Sequence, residues 1–332
     1  MKPVMYANLH NHTTHSDGVF SPEELVRIAK SEGYGAVAAA DHDTVTANAK
    51  VKAECEKQGM ETVFACEFYA MCEKYNKYFY DYHLVGIDFD PNHPTMKEYL
   101  RKRSADMAER TEYLFESAMK DDRLPKGITW QEIVDYNEGI TWLCNDHVFM
   151  AMEAKGIVTE KEWPHYFNTC FAASYQKKIG LEPKYPIMEI SDLIPLIHEA
   201  GGIAVVAHPC ESVQLRTIPE LVKFGLDGIE VWHNGIVRHK YQHEALRLAL
   251  EYGLYISGGE DHSGLLGGQY YRFEHPEETK YFFPPRTLGT TQYFFEEIRD
   301  RRKRPDRKTV MRELIENDDL WQMTGGIIDK VQ

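Results

Sequence analysis

The chain has 332 residues, with 38 lysines and arginines against 52 aspartates and glutamates, which gives a formal net charge of −14 at pH 7. This negative balance disfavours a long nucleic acid held through many phosphate contacts, and it favours small molecules or short oligonucleotides as ligands. The six cysteines form no Cys-x-x-Cys pair, and no apolar run resembles a signal peptide or approaches the roughly 20 residues of a membrane span. We therefore expect a cytoplasmic protein with no membrane partner.

The first predicted strand leads into a stretch that is rich in histidine. The apolar run of residues 4–7 is followed by NLHNHTTHSDG, which contains His10, His12 and Asp17. A His-x-His pair at a strand end aims both imidazoles to one side, and imidazoles and carboxylates are the groups that bind zinc, manganese or iron. A lone His-x-His is more often structural than ligating, so the assignment depends on what the rest of the chain adds.

Helices and strands then alternate along the chain. A helix is predicted to begin at Ser21-Pro22-Glu23-Glu24, which combines an N-cap serine, a first-turn proline and a glutamate three residues after the cap. Seven strands are predicted in all, at about residues 4–7, 35–40, 61–66, 82–87, 203–207, 228–232 and 254–257.

The organisation into domains follows from the same pattern. Residues 94–181 are predicted to be a helical insertion that contributes to substrate specificity. The segments 1–93 and 182–300 are expected to form one metal-binding unit, and residues 301–332 are expected to pack on it as a C-terminal extension.

Metal-capable or acidic side chains lie in or just after every predicted strand. If the strands are parallel and form a barrel, their C-terminal ends open on one face, so these scattered positions converge on one pocket. His83 fits this picture least well, because it lies near the start of its strand. The groups, in chain order, are His10 and His12, Asp41 and His42, Glu67, His83, His208, Glu230 and His233, and Asp261 and His262.

These motifs, taken as an ordered set, resemble those of the polymerase and histidinol phosphatase (PHP) family. The resemblance covers roughly residues 4–92 and 187–264. It rests on H-x-H-T-x-x-S-D-G from His10, A-D-H-D-T from Ala40, the isolated Glu67, A-G-G-x-A-V-x-A-H-P from Ala200, G-I-E-V from Gly228 and G-G-x-D-H-x-G from Gly258.

The resemblance implies a fold, a cofactor set and a reaction. The expected fold is α/β, a distorted seven-stranded (β/α) barrel that holds two or three divalent ions, usually manganese, iron or zinc, for phosphoester hydrolysis. Glu67 is implied as the bridge between two of the ions and is therefore counted as catalytic. The implied ligand sets are His10, His12, Glu67 and Asp261 for one metal, Glu67, His83 and His208 for a second, and Asp17, His42 and His262 for a third.

Two positions depart from the family pattern. The last strand usually ends in Asp-x-His, whereas Asp261 and His262 are adjacent here. Many relatives carry Gly-Arg-Pro-His in the insertion, where this chain has Cys144, Asn145, Asp146 and His147. The arginine is missing, so Arg110 on the preceding helix becomes the candidate for binding substrate phosphate, with Asn145 and His147 as further substrate contacts.

Several histidines keep a structural alternative. His83 can ligate a metal or bond a backbone carbonyl, and His147 can contact substrate or lie on a helix surface. His233 can protonate the leaving oxygen of the substrate or be a residue of the pocket rim, and His147 is the other candidate for this catalytic role.

The leading hypothesis from the sequence is a phosphoesterase that hydrolyses a small phosphorylated metabolite or nucleotide by attack of metal-bound hydroxide on phosphorus. One alternative is an amidohydrolase-like hydrolase, which would use the same metals to cleave a bond in a non-phosphate substrate. The other alternative is a non-catalytic regulatory module that metal ions stabilise. The choice between a monoester and a diester, the identity of the metals and the oligomeric state, including a homo-oligomer, stay open.

Overall fold

The structure, a computed structural model, describes residues 5–72, 82–261 and 285–301. It is a mixed α/β fold, in which short strands lie at the centre and helices cover them. The C-terminal extension predicted for residues 301–332 lies outside the described residues except for Arg301, and so does the predicted ligand His262.

Seven strands are present within the described residues, and each overlaps its predicted range. They are β1 (Ala7–Asn8), β2 (Ala36–Val37), β3 (Ala65–Ala70), β4 (Tyr82–Ile87), β5 (Ile203–Val206), β6 (Gly228–Glu230) and β7 (Tyr255–Ser257). Strand β3 begins four residues later than predicted and contains Glu67 rather than ending before it. Strands β1 and β2 pair in parallel as a two-stranded sheet, and the other five form a sheet in the order β3-β4-β5-β6-β7. Within the described residues the strands are thus divided between two sheets, and the pairing does not close one continuous barrel.

One strand runs against the predicted direction. Strand β4 is antiparallel to both β3 and β5, whereas β5, β6 and β7 are parallel to one another. The sequence expectation of seven parallel strands is therefore wrong for β4. This reversal explains the position of His83, because the start of an antiparallel strand lies at the same end of the sheet as the C-terminal ends of its neighbours. His83 pairs with Tyr69, near the end of β3.

Single backbone contacts connect the two sheets. Parallel bridges join Ala36 to Glu61 and His42 to Glu67, next to the edges of β2 and β3. On the other side, the Leu9 amide donates to the Gly258 carbonyl at 3.3 Å, just after β1 and β7. The ends of the first and last strands therefore lie side by side.

Helices precede or follow most of the strands. The first, α1 (Pro22–Ser31), has the predicted capping box between Ser21 and Glu24 and buries Leu25 and Val26. The others that pack near the sheets are α2 (Asn48–Gln58), α8 (Ile190–Glu199), α9 (Ser212–Lys223), α10 (Asn234–Arg238), α11 (Gln242–Tyr252) and α12 (Gln292–Arg299).

Residues 94–178, between β4 and α8, are mainly helical. They contain α3 (Pro94–Lys120), α4 (Trp130–Tyr136), α5 (Asn145–Ala154), α6 (Trp163–Tyr166), a π-helix (Phe167–Phe171) and α7 (Ala173–Lys178). These helices share an apolar cluster that includes Phe115, Phe149 and Trp163.

The strands separate two further apolar clusters. Alternate residues of the second predicted strand belong to different clusters, because side chains of an extended chain point to opposite faces. Ala36, Ala38 and Ala40 lie in a small cluster with Val85 and Val205, whereas Val37 and Ala39 lie in the large cluster that includes residues of α1, α8, α9 and α11. Of the helices that the structure describes, none has the length and apolar character that a membrane crossing requires.

Candidate metal centre

The loop after β1 is held in place by hydrogen bonds from its own side chains. Asn11 donates to the carbonyls of Asn8 and Ala38, both at 3.1 Å. Buried Asp41 accepts from the Thr13 amide at 2.7 Å, the Thr13 hydroxyl at 2.8 Å and the Ser16 hydroxyl at 2.6 Å. This network fixes the backbone on both sides of His12. Asp41, which the sequence places beside a predicted ligand, therefore supports the loop.

Glu67 lies at the centre of the predicted ligands. Its carboxylate is 1% exposed, and each of its oxygens faces a different group of imidazoles. Oε2 lies 3.2 Å from His10 Nε2, 3.2 Å from His12 Nε2 and 3.1 Å from His42 Nδ1. Oε1 lies 2.8 Å from both His83 Nδ1 and His208 Nε2. Five imidazoles from four separate stretches of the chain thus meet around one carboxylate.

Two aspartates complete the described part of this cluster. Asp261 Oδ1 lies 3.1 Å from His12 Nε2 and 4.0 Å from His10 Nε2. Asp17 lies on the other side, 3.4 Å from His12 Nδ1 and 3.8 Å from His42 Nε2. The predicted ligands within the described residues are therefore brought together, including His83.

The charges in the cluster favour an ionised central carboxylate. Burial raises the pKa of Glu67, but the neighbouring His10, His83 and His42 outweigh burial and hold the pKa well below the usual carboxyl value. Burial also raises the pKa of Asp261, but the neighbouring imidazoles of His12 and His233 outweigh burial and bring the pKa well below its ordinary range. Both carboxylates are thus available as anionic metal ligands near neutral pH.

Four buried atoms of the cluster make no hydrogen bond within the described part of the chain. Buried polar atoms nearly always have a partner, and leaving them without one is costly. The convergence of such atoms from imidazoles and a carboxylate fits the binding of a divalent cation. The atoms are His10 Nε2, His12 Nε2, His42 Nδ1 and Glu67 Oε2.

Glu230 orients two of the candidate ligands. Its Oε1 lies 3.0 Å from His10 Nδ1, and its Oε2 accepts from the His208 amide at 2.6 Å. A proton on His10 Nδ1 that points to Glu230 leaves Nε2 free to face Glu67, so the carboxylate selects the tautomer that can bind a metal. The sequence places Glu230 at a strand end but does not indicate this role.

Comparison with known proteins agrees with this geometry. The family model described as PHP domain matches residues 8–182, which is more than half of the chain. The chain belongs to the PHP domain family.

Individual PHP relatives differ in the reactions that their names describe. A 5′-3′ exoribonuclease from Haemophilus influenzae is 29% identical, and the match covers 76% of this chain and 88% of the relative. A phosphoribosyl 1,2-cyclic phosphate 1,2-diphosphodiesterase from Eggerthella lenta is 24% identical, with 79% and 96% covered. The crystal structure of a candidate metal-dependent phosphoesterase from Bifidobacterium adolescentis matches with a TM-score of 0.69 and 23% identity over 91% of this chain and 98% of that one. This structural match supports the fold alone.

His233 is buried beside the cluster of this PHP chain. Its Nδ1 accepts from the Gly235 amide at 3.1 Å, which assigns the proton of the neutral ring to Nε2. Nε2 lies 3.5 Å from Asp261 Oδ2 and 3.9 Å from Glu230 Oε2. His233 therefore directs an N–H group to the edge of the candidate metal centre.

His147 has a different environment from both sequence alternatives. It is fully buried, so it does not lie on a helix surface. Its Nδ1 accepts from the Cys144 amide at 2.9 Å and its Nε2 bonds the Thr14 carbonyl at 3.0 Å. Burial lowers the pKa of His147 to about 4. Because both ring nitrogens of His147 are hydrogen-bonded to the backbone, neither is available to bind substrate. This geometry supports a structural role for His147.

Arg110 and Asn145 line a cavity of about 300 Å³. Tyr69 also lines this cavity, and its ring stacks on His42 with the centroids 4.5 Å apart. Trp142 stacks on His42 as well, at 5.8 Å. These two aromatic residues are not apparent from the sequence, since neither belongs to a recognisable motif and their proximity to His42 depends on the fold.

Proposed function

We propose that this chain is a metal-dependent phosphoesterase that acts on a small phosphorylated metabolite or nucleotide. The single observation that carries the proposal is the convergence of His10, His12 and His42 on Glu67 with buried ring nitrogens that lack hydrogen bonds. Membership of the PHP family adds the reaction class, because the relatives named above act on phosphodiester bonds.

The proposed ligand sets share Glu67. One ion would be held by Glu67 with His10, His12 and Asp261, and a second by Glu67 with His83 and His208. A third would be held by Asp17 and His42, together with His262, which lies outside the described residues. Manganese, iron and zinc all suit this set of nitrogen and oxygen donors.

Divalent ions at such a centre neutralise the charge of a phosphoryl group and lower the pKa of bound water. The residues of the chain then have separate tasks. The negative charge of the Glu67 carboxylate stabilises the close approach of the five surrounding imidazoles. Glu230 keeps the Nε2 atom of His10 directed at the centre. Tyr69 and Trp142 cover His42 and reduce its access to water.

The sequence hypothesis makes His233 the proton donor to the leaving oxygen, but a neutral ring whose Nδ1 accepts from the Gly235 amide has no second proton to give up. We propose instead that its Nε2–H, which lies 3.5 Å from Asp261 Oδ2, donates a hydrogen bond that stabilises the developing charge on the leaving oxygen. His147 is the weaker candidate, because both of its nitrogens are already engaged by the backbone. The helical segment 94–181 is proposed to contribute to substrate specificity, since its Arg110 and Asn145 line the adjacent cavity.

We also infer that the two sheets belong to one distorted seven-stranded barrel around segments 1–93 and 182–300. The inference is supported by the backbone contacts between the sheets and by the separate small cluster of Ala36, Ala38 and Ala40, which fits the interior of such a barrel.

The test is a panel of phosphate monoesters, phosphodiesters and amides, assayed with the purified protein before and after chelation. Replacing Glu67 with glutamine should abolish phosphate release, while Glu56→Gln on the exposed face of α2 should retain it. Hydrolysis that survives chelation overturns the metal requirement. Cleavage of amides without phosphate esters would favour the amidohydrolase reading, and bound metal without any hydrolysis would favour the regulatory module.

A further inference from the structure

The ring of His42 lacks the kind of partner that Glu230 provides for His10. Its Nδ1 lies 3.1 Å from Glu67 Oε2, and its Nε2 lies 3.8 Å from Asp17 Oδ2. Both ring nitrogens therefore face candidate metal ligands, and neither is left for a residue that would orient the ring through a hydrogen bond. The position of His42 must be set by its backbone and by the rings that pack on it.

The residue after His42 has an unusual backbone conformation. Asp43 has a φ of 46°, in the left-handed region that residues other than glycine seldom adopt, although aspartate and asparagine do so more readily than most. Its amide donates to the Glu67 carbonyl at 2.8 Å, next to the bridge between His42 and Glu67. The chain turns at this point, so that the His42 ring faces Glu67 while the Asp43 carboxylate faces α3.

Two consecutive residues of α3 hold Asp43 in this conformation. Arg103 Nε lies 3.0 Å from Asp43 Oδ2, and both side chains are buried. The Ser104 hydroxyl donates to the Asp43 carbonyl at 3.4 Å. With the bond to Glu67, the amide, the carbonyl and the carboxylate of Asp43 are all engaged. A backbone conformation of this kind persists only where surrounding contacts fix it.

Arg103 is itself held in place by other parts of the chain. Its Nη1 donates to the Tyr185 carbonyl at 2.8 Å and lies 3.6 Å from Asp106 Oδ2. Asp106 accepts in turn from the amides of Lys184 at 2.6 Å and Tyr185 at 3.1 Å. The planar guanidinium group can donate in several directions, so it joins α3, the segment before α8 and the turn after His42.

Stability alone is a weak reason for a buried ion pair at this place. Desolvation of the two charges offsets much of their attraction, and well-packed apolar residues of similar volume are often as stable. A charged pair with several directed hydrogen bonds does, however, fix the geometry of the groups that it joins. The Arg103–Asp43 pair therefore fits a requirement for one defined position of the turn that carries His42.

We propose that Arg103 and Asp43 are positioning residues for His42, through which α3 sets the affinity of the Asp17 and His42 ligand set for its divalent ion. The proposal rests on the proposed function, which supplies that ion. Neither Arg103 nor Asp43 touches the ion or the substrate, and both act through the backbone of His42. Removal of a residue that orients a metal ligand typically lowers metal affinity about 10- to 100-fold.

The experiment resolves the successive metal-binding steps of the chelator-treated protein by competition of zinc with a chromophoric chelator. His42→Gln removes the ligand and identifies the step that belongs to His42. The variants under test are Arg103→Gln and Asp43→Asn, because asparagine also tolerates the left-handed conformation. The matched control on the same helix is Arg101→Gln, whose side chain is 60% exposed and pairs with Glu98.

A second control, Asp227→Asn, lowers stability away from the ligands. Asp227 precedes β6, at the opposite end of the parallel strands, where it accepts from the Ala204 amide at 2.8 Å and pairs with His198 at 2.6 Å. The double variant Asp43→Asn/Arg103→Gln removes both charges of the buried pair. It leaves no buried charge unpaired, so it serves as the test if a single variant fails to fold. Melting temperatures are recorded for every metal-free protein.

We expect both single variants and the double variant to weaken the His42 step about 10- to 100-fold and to leave the other steps within about twofold of the wild type. Arg101→Gln and Asp227→Asn should leave every step unchanged, although Asp227→Asn lowers the melting temperature. An unchanged His42 step, or an equal weakening of all steps, overturns the proposal. If the His42 step weakens selectively but the wild type hydrolyses no phosphate ester, the proposed function fails and the positioning role stands. A wild type that binds no ion overturns both.

Discussion

Replacing Glu230 with glutamine perturbs the candidate metal centre without removing any proposed ligand. The carboxylate of Glu230 lies 3.0 Å from His10 Nδ1 and accepts a hydrogen bond from the His208 amide at 2.6 Å. Glutamine has the same shape but only one oxygen, so its NH₂ group must face one of these two donors. One charge-assisted hydrogen bond is lost and a donor is left buried without an acceptor.

The expected cost follows from this loss. A hydrogen bond to a charged group contributes about 1.5–3 kcal/mol, and removal of a residue that orients a metal ligand typically lowers metal affinity about 10- to 100-fold. We therefore expect the affinity for the most tightly bound divalent ion to fall within that range, as measured by competition with a chromophoric chelator.

The matched control is Glu56→Gln, the same chemical change at an exposed position of α2. It should bind metal as the wild type does. If the Glu230→Gln protein binds metal with wild-type affinity, Glu230 does not select the His10 tautomer that binds the metal.

Three further predictions concern stability and catalysis. The pKa of His147 is about 4 in the folded protein and about 6.5 when unfolded, so its neutral form contributes stability that is complete above pH 6.5 and is lost as the pH falls to 4. In chelated protein, the difference in unfolding free energy between the wild type and His147→Gln should shrink by about 3 kcal/mol over that interval, and a constant difference would contradict the assignment. Asp41→Ala should lower the free energy of unfolding by about 3–5 kcal/mol in urea denaturation, because Thr13 and Ser16 lose their acceptor; a loss below about 1 kcal/mol would show that the loop does not depend on it. His233→Gln should lower kcat about 100-fold with an unchanged metal content, whereas loss of metal in parallel would make His233 a ligand.

The sequence carried most of the information about the ligands. Histidines and carboxylates at strand ends, together with the order of the family motifs, were enough to select the side chains that the structure gathers around Glu67. Short apolar runs indicated the approximate positions of the seven described strands, although β3 begins four residues later than its apolar run. Neighbouring residues decide whether a short segment forms a buried strand and which side chains stand at its end. The strands and the candidate ligands could therefore be predicted from local composition.

Other features depend on contacts between distant segments. The direction of β4 could not be predicted, since an apolar run pairs equally well in either direction, and the misfit of His83 was the one signal of the reversal. The supporting role of Glu230 and the covering rings of Tyr69 and Trp142 depend on the three-dimensional arrangement alone.

The bridging role of Glu67 is tested by the divalent metal content of the purified protein, measured by elemental analysis after reconstitution, beside that of the Glu67→Gln variant. We expect two or three ions per wild-type chain and the loss of at least one in the variant, because Glu67 contacts the imidazoles of both main ligand sets. A wild-type chain that retains no divalent ion, or a variant that retains the same number as the wild type, would contradict this role.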